Sequence, residues 1–193
     1  MKARNLIFAV AVTVTLFIGQ QTSFSQESDM LRIRRLEADT VRAPQYQVRA
    51  GQAPRRTREW LQVRTEFQTS PEWIDEMTFT YHIVLRNRRP AEGEPEFRLF
   101  RGESSYINIA RTRDGQSTVF LHPSTVERFG EMVQVGVVIT SGGRVVAMES
   151  NPTREGRWWE QLTPQTGMVL NRRDTPFAMV NFDDFEAVPA ASR

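Results

Sequence analysis

From about residue 58 the chain alternates. Leu61, Val63, Thr65 and Phe67 are interleaved with Gln62, Arg64 and Glu66, the period-two pattern of a half-buried strand. Met77, Phe79, Tyr81, Ile83 and Leu85 alternate in the same way with Thr78, Thr80, His82 and Val84, the strongest strand signal in the chain. The same reading predicts strands at 97–101, 104–111, 117–121, 132–140, 144–150, 168–171 and 178–182. Asp114-Gly115 and Gly142-Gly143 fall between strand pairs, where hairpin turns need positive φ. Pro71, Pro90, Pro95, Pro152 and Pro164 fall in the longer connections, clear of any central ladder. Upstream, 31–34 and 46–48 can form one or two edge strands, and 50–57 reads as a flexible Pro/Arg/Gly-rich link.

One segment departs from the period. His122-Pro123-Ser124-Thr125-Val126-Glu127-Arg128-Phe129-Gly130 carries Ser124 as a candidate N-cap, Glu127 three residues on and Gly130 as a stop, which predicts a short helix over about 124–129. It is long enough to cross between two sheets and too short to form a layer. Without long helices between the strands, a parallel α/β sheet is excluded. Seven to nine short antiparallel strands in about 130 residues predict an all-β fold, an immunoglobulin-like two-sheet antiparallel sandwich, with a β-barrel as the structural alternative.

The N-terminus is of another kind. Lys2 and Arg4 precede residues 6–19, which carry no charge, and Ser23-Phe24-Ser25 follows with small residues two apart. This is the arrangement of a secretory signal peptide, and the apolar run is shorter than the ~20 residues of a spanning helix. The expected organisation is therefore a signal helix over 1–25, an Arg-rich arm over 26–57, the sandwich over 58–187 and a loose tail over 188–193. An exported location follows (periplasm, outer-membrane-associated or cell surface), with no membrane span once the signal is removed.

Charge sharpens this division. The 193 residues hold 25 basic and 23 acidic side chains, and Lys2 is the only lysine. Removing residues 1–25 takes away Lys2 and Arg4 and no acid, leaving 23 arginines against 23 carboxylates. The arm and the residue after it, 26–58, carry eight arginines against four acids, so the remainder is acidic by four. A basic arm of this kind suits self-packing or a protein partner. A nucleic-acid role would also call for a recognition module, and none is present.

Candidate chemistry is sparse. With no cysteine there is no disulfide, thiol nucleophile or thiolate metal site. His82 and His122 are the only histidines, without metal-ligand spacing, and read as structural or solvated. No Gly-x-Ser-x-Gly elbow or phosphate-binding glycine loop occurs. Asp75-Glu76 and Asp183-Asp184 are paired acids of the type a hydrolase uses, but solvated turns explain them as well. No catalytic residue, metal site or cofactor is assigned. Trp158-Trp159 is the main candidate for recognition. Adjacent residues in a strand face opposite ways, so one is expected in the core and the other outward, as an edge cover or a platform for sugars or proteins. The candidate interaction surface is Trp158, Trp159, Arg55, Arg56 and Arg58. Trp60 and Trp73 are expected to cap the ends of the sandwich.

Several phrases occur together and in order: Pro71-Glu72-Trp73-Ile74-Asp75-Glu76-Met77-Thr78-Phe79, Tyr106-Ile107-Asn108-Ile109, the Leu121–Gly130 stretch and Thr175-Pro176-Phe177. In this combination the chain resembles a family of exported "pilus-like" proteins of verrucomicrobial bacteria, over roughly residues 33–187. The resemblance implies an immunoglobulin-like sandwich encoded beside type IV pilus genes, and it brings no catalytic residues. It implies a non-enzymatic accessory protein whose partners are envelope or pilus-assembly proteins, with self-association possible through an open sheet edge. A glycan-binding surface module is the alternative. The apolar N-terminal helix of a true pilin is missing, so a fibre subunit is not implied.

Overall fold

Inward-facing side chains at alternate positions set the two layers. Met77, Phe79, Tyr81, Ile83 and Leu85 are all buried in one core with Val63, Phe67, Val119, Leu121, Val135, Val137 and Ile139. In a computed structural model of the protein, the described residues are 30–44, 58–179 and 188–189. They form β1 (Leu31–Arg42), β2 (Glu59–Thr69), β3 (Trp73–Arg86), β4 (Phe97–Ala110), β5 (Gly115–Leu121), α1 (Pro123–Phe129), β6 (Glu131–Ser141), β7 (Arg144–Asn151), β8 (Pro164–Gln165), β9 (Val169–Asn171) and β10 (Val188–Pro189). The first sheet runs β1-β2-β5-β9 and the second β10-β4-β3-β6-β7, with β8 added parallel to β4. Every other pairing is antiparallel.

This is the immunoglobulin-like sandwich expected. Lettered as in such domains, β1, β2 and β5 stand as A, B and E, while β7, β6, β3 and β4 stand as G, F, C and C′. The place of strand D, beside E, is taken by β9 from near the C-terminus.

Several boundaries differ from the sequence reading. β1 is a single strand of 12 residues, paired along β2 with one irregularity between Ile33 and Arg35, so it belongs to the sandwich and not to an arm. Residues 97–110 form one strand because Gly102 and Glu103 continue the ladder opposite Tyr81 and Thr80. Asp114-Gly115 is a crossing between sheets, since β4 and β5 lie in different ones, whereas Gly142-Gly143 is the expected two-residue hairpin turn. Val188 and Pro189 pair with Ile107 and Tyr106 and so are not a loose tail. Residues 176–179 form a turn. The expected signal helix, the 46–48 strand and the rest of the 178–182 strand lie outside the described residues. The helix begins one turn-position early: Pro123 takes the first helical position, and His122 is the cap, its Nδ1 accepting from the Ser124 N–H at 3.2 Å.

Two polar contacts join the layers inside the core. The Tyr81 phenol donates to the Ser117 carbonyl at 3.0 Å, and Tyr106 Oη lies 3.1 Å from Ser117 Oγ. Burial pushes the Tyr81 pKa well above the ordinary phenol value, so the group stays a donor throughout the physiological range. Packing is therefore not the only link between the sheets.

After β7 the chain wraps the sandwich as a belt. A 3-10 turn, Trp158–Gln161, covers the outer face of the second sheet, where both tryptophans pack with Val84 and Leu99. β8 then runs along the edge of β4, Val169 passes over Gly102, and β9 joins β5. Phe177 finally stacks on Phe120 at 4.6 Å and meets Trp60 edge-on at 5.8 Å, on the outer face of the first sheet. The belt thus covers part of both outer faces.

Candidate interaction surface

The belt decides the fate of the expected tryptophan platform. Trp158 and Trp159 are 8% and 6% exposed, so neither points outward and the expectation of one outward ring is corrected. They lie in a 3-10 turn rather than a strand, where successive side chains are about 120° apart instead of facing opposite ways, and both rings reach the outer face of the sheet. Their rings meet edge-on at 5.2 Å, and Trp159 stacks on the His82 imidazole at 4.5 Å. Gly136 makes this possible, because a Cβ there would stand 2.8 Å from the Trp159 ring.

His82 is consequently buried, facing away from the core and roofed by Trp159. Its Nδ1 and the Trp158 Nε1 meet no hydrogen-bond partner. Burial, with the Arg101 guanidinium as the second cause, lowers its pKa from 6.5 to about 4. The ring is thus neutral at pH 7. His122 caps α1 and packs edge-on against Trp60 at 4.8 Å. Asp75 lies seven residues from His82 along β3, ~23 Å at the usual strand rise, so the two are not one constellation. Asp183 and Asp184 lie outside the described residues, as do Arg55 and Arg56. Arg58 is exposed just before β2. Among the described residues, no group of three or more His, Asp or Glu is placed to hold a metal ion.

The structure brings forward a different surface. Trp60, expected as an end cap, is buried under Phe177, whereas Trp73 is 57% exposed. The cause is a break in alternation where β3 and β4 begin and end their pairing. Ile74 and Met77 are both buried in the core although three residues apart, so Asp75 and Glu76 both project outward. Opposite them, Tyr106 and Ile109 are buried, Ile107 is 41% exposed, and Asn108 adopts a positive φ of 54°. Trp73 and Ile107, three ladder positions apart on the β3–β4 pair, are thus both exposed on a surface that also carries Asp75, Glu76 and Asn108, with Glu72 and Arg111 at its end. The one sequence signal was the failure of Trp73-Ile74-Asp75-Glu76-Met77 to keep a period of two. Such a patch has the composition of a protein-binding hot spot, a large aromatic ringed by charges.

A protein-family model, described only as a "-like" family, matches residues 22–192. The chain belongs to this family. No curated protein matches it. Among solved structures, a crystal structure of a protein from Akkermansia muciniphila superposes with a TM-score of 0.68 at 19% identity, covering 85% of this chain and 94% of that one. Akkermansia is a verrucomicrobe, in keeping with the verrucomicrobial part of the resemblance. At this identity the likeness is one of fold, a β-sandwich.

Proposed function

We propose that the protein is a non-enzymatic, exported accessory protein of the bacterial envelope, acting through protein–protein contact in type IV pilus assembly or function. The observation that carries the reading is the Trp73–Ile107 patch, an exposed aromatic and aliphatic pair on a strand pair that the β3–β4 ladder holds in place. Single exposed apolar residues are ordinary, but a tryptophan and a second large apolar side chain exposed on one strand pair among several charges have the composition of a contact anchor. The signal-peptide pattern of residues 1–25 and the order of motifs shared with exported pilus-like proteins support the envelope setting. Capture of the full chain from envelope extracts is expected to recover pilus or secretin components, and Trp73→Ala to reduce that recovery. Recovery of neither, together with unaltered piliation after deletion of the gene, overturns the reading.

A further inference from the structure

The Trp73 patch and Arg58 lie near opposite ends of β2. Trp73 follows the end of β2 by four residues, while Arg58 directly precedes its start. β2 has 11 residues, so its ends stand ~34 Å apart at the usual strand rise. Arg55 and Arg56 lie at most three residues from Arg58, a reach of ~10 Å when fully extended. The arginines of a chain therefore cannot meet that chain's own Trp73.

The two features are complementary. Glu72, Asp75 and Glu76 are exposed around the apolar pair, and the side chain of none has an ion pair or hydrogen bond. Several other acids are ion-paired: Glu37 with Arg64 at 2.9 Å, Glu96 with Arg86 at 2.6 Å, Glu131 with Arg88 at 2.6 Å, and Asp114 with Arg34 at 2.6 Å. Among the described residues, Arg111, whose backbone N–H donates to the Glu72 carbonyl at 2.9 Å, is the basic residue at this border, so three carboxylates and one guanidinium leave these side chains a net charge of −2. A guanidinium suits the exposed Trp73 face as well as the carboxylates, because it stacks on indole while keeping its charge.

We propose that the patch of Trp73, Ile107, Asp75 and Glu76 on one copy receives the Arg55-Arg56-Thr57-Arg58 segment of a second copy, so that chains associate head to tail. The contact is heterologous: each copy offers one donor end and one acceptor end, and the assembly grows as a ring or an open filament. It uses the same patch as the envelope contact, so a copy engaged in one way is closed to the other, and each contact has its own test. A strictly monomeric protein leaves that role standing, and unaltered piliation leaves this contact standing.

Sedimentation velocity on the full chain, over a wide concentration range at low and high salt, tests it. The wild type is expected to form species larger than a dimer that dissociate as salt rises. Two variants should each weaken association roughly tenfold or more: a patch variant, Trp73→Ala with Asp75→Asn and Glu76→Gln, and an arm variant, Arg55→Gln with Arg56→Gln and Arg58→Gln. Mixed in equal amounts, they should form a one-to-one dimer that grows no further, because one keeps only the acceptor and the other only the donor. All the substituted patch side chains are exposed, so an unchanged near-ultraviolet circular dichroism spectrum is expected; if Trp73→Ala disturbs it, Asp75→Asn with Glu76→Gln alone serves as the patch variant. A monomeric wild type at low salt, association in either variant as strong as in the wild type, or a mixture that stays monomeric or grows beyond a dimer overturns the proposal.

Discussion

His82 shows how much a single position can depend on a segment 77 residues away. In isolation β3 would hold it on a half-solvated face. Trp159 turns that face into an interior, and the imidazole pKa falls to about 4 through burial, with Arg101 adding to the effect. Its consequence for stability has a definite sign. Above pH 6.5 the ring is neutral in both the folded and the unfolded chain. As the pH falls from 6.5 towards 4, the unfolded chain takes up a proton that the folded chain does not. Stability from this group is thus fully present above pH 6.5 and is lost progressively down to about pH 4. The loss should reach about 2 kcal/mol, a reduction from the ~1.4 kcal/mol per pH unit of an isolated shift because the ring retains some contact with water. Urea unfolding of the wild type and His82→Gln between pH 7 and pH 4 checks this, with a shallower decline expected in the variant. A parallel decline in both would refute it. The histidine itself was plain in the sequence, but its surroundings were not, since nothing about residues 81–83 announces Trp159.

At the scale of elements, what could be read in advance and what could not separate along a physical line. Long ladders impose a period of two, and β2, β3, β6 and β7 were found where alternation placed them. β9 lies within the strand expected at 168–171, but β8 has two residues and the Trp158–Gln161 turn has four, too few to show any period. The course of the belt over the two outer faces was therefore not legible, and Trp158-Trp159 was read with strand geometry that does not apply. The Trp73 patch was missed for another reason: Asp75-Glu76 was read as a turn before a strand beginning at Met77, whereas β3 already begins at Trp73. The belt's seat on the second sheet depends on Gly136. Gly136→Ala would drive a methyl group into the Trp159 ring and should destabilise the protein by about 1–3 kcal/mol. Chemical denaturation measures the loss, and the intrinsic fluorescence of the folded variant should report tryptophan more exposed to water. A variant as stable as the wild type, with unchanged fluorescence, would show that the belt is not seated there.

For the whole molecule, the sandwich and its wrapping are one unit. The core between the sheets is built from β1 to β7, yet among the described residues the outer faces around Val84 and Leu99, and around Trp60 and Phe120, are covered in large part by residues after 151, with His122 also packing on Trp60. A chain ending at Asn151 leaves both apolar clusters in water and is expected to lose cooperative unfolding and to bind a hydrophobic dye, which thermal unfolding and dye fluorescence would register. A truncated chain that unfolds as sharply as the full one would show that the belt is merely accessory. The link through Tyr81, Tyr106 and Ser117 has a different reach. Immunoglobulin-like domains often join their sheets by a sulfur bridge, which must be oxidised to form and can be reduced again. A phenol donating to a carbonyl has no such second state. Because the chain also has no cysteine, its maturation calls on no thiol oxidase, and its cross-sheet link is indifferent to the redox potential of whatever surroundings it occupies.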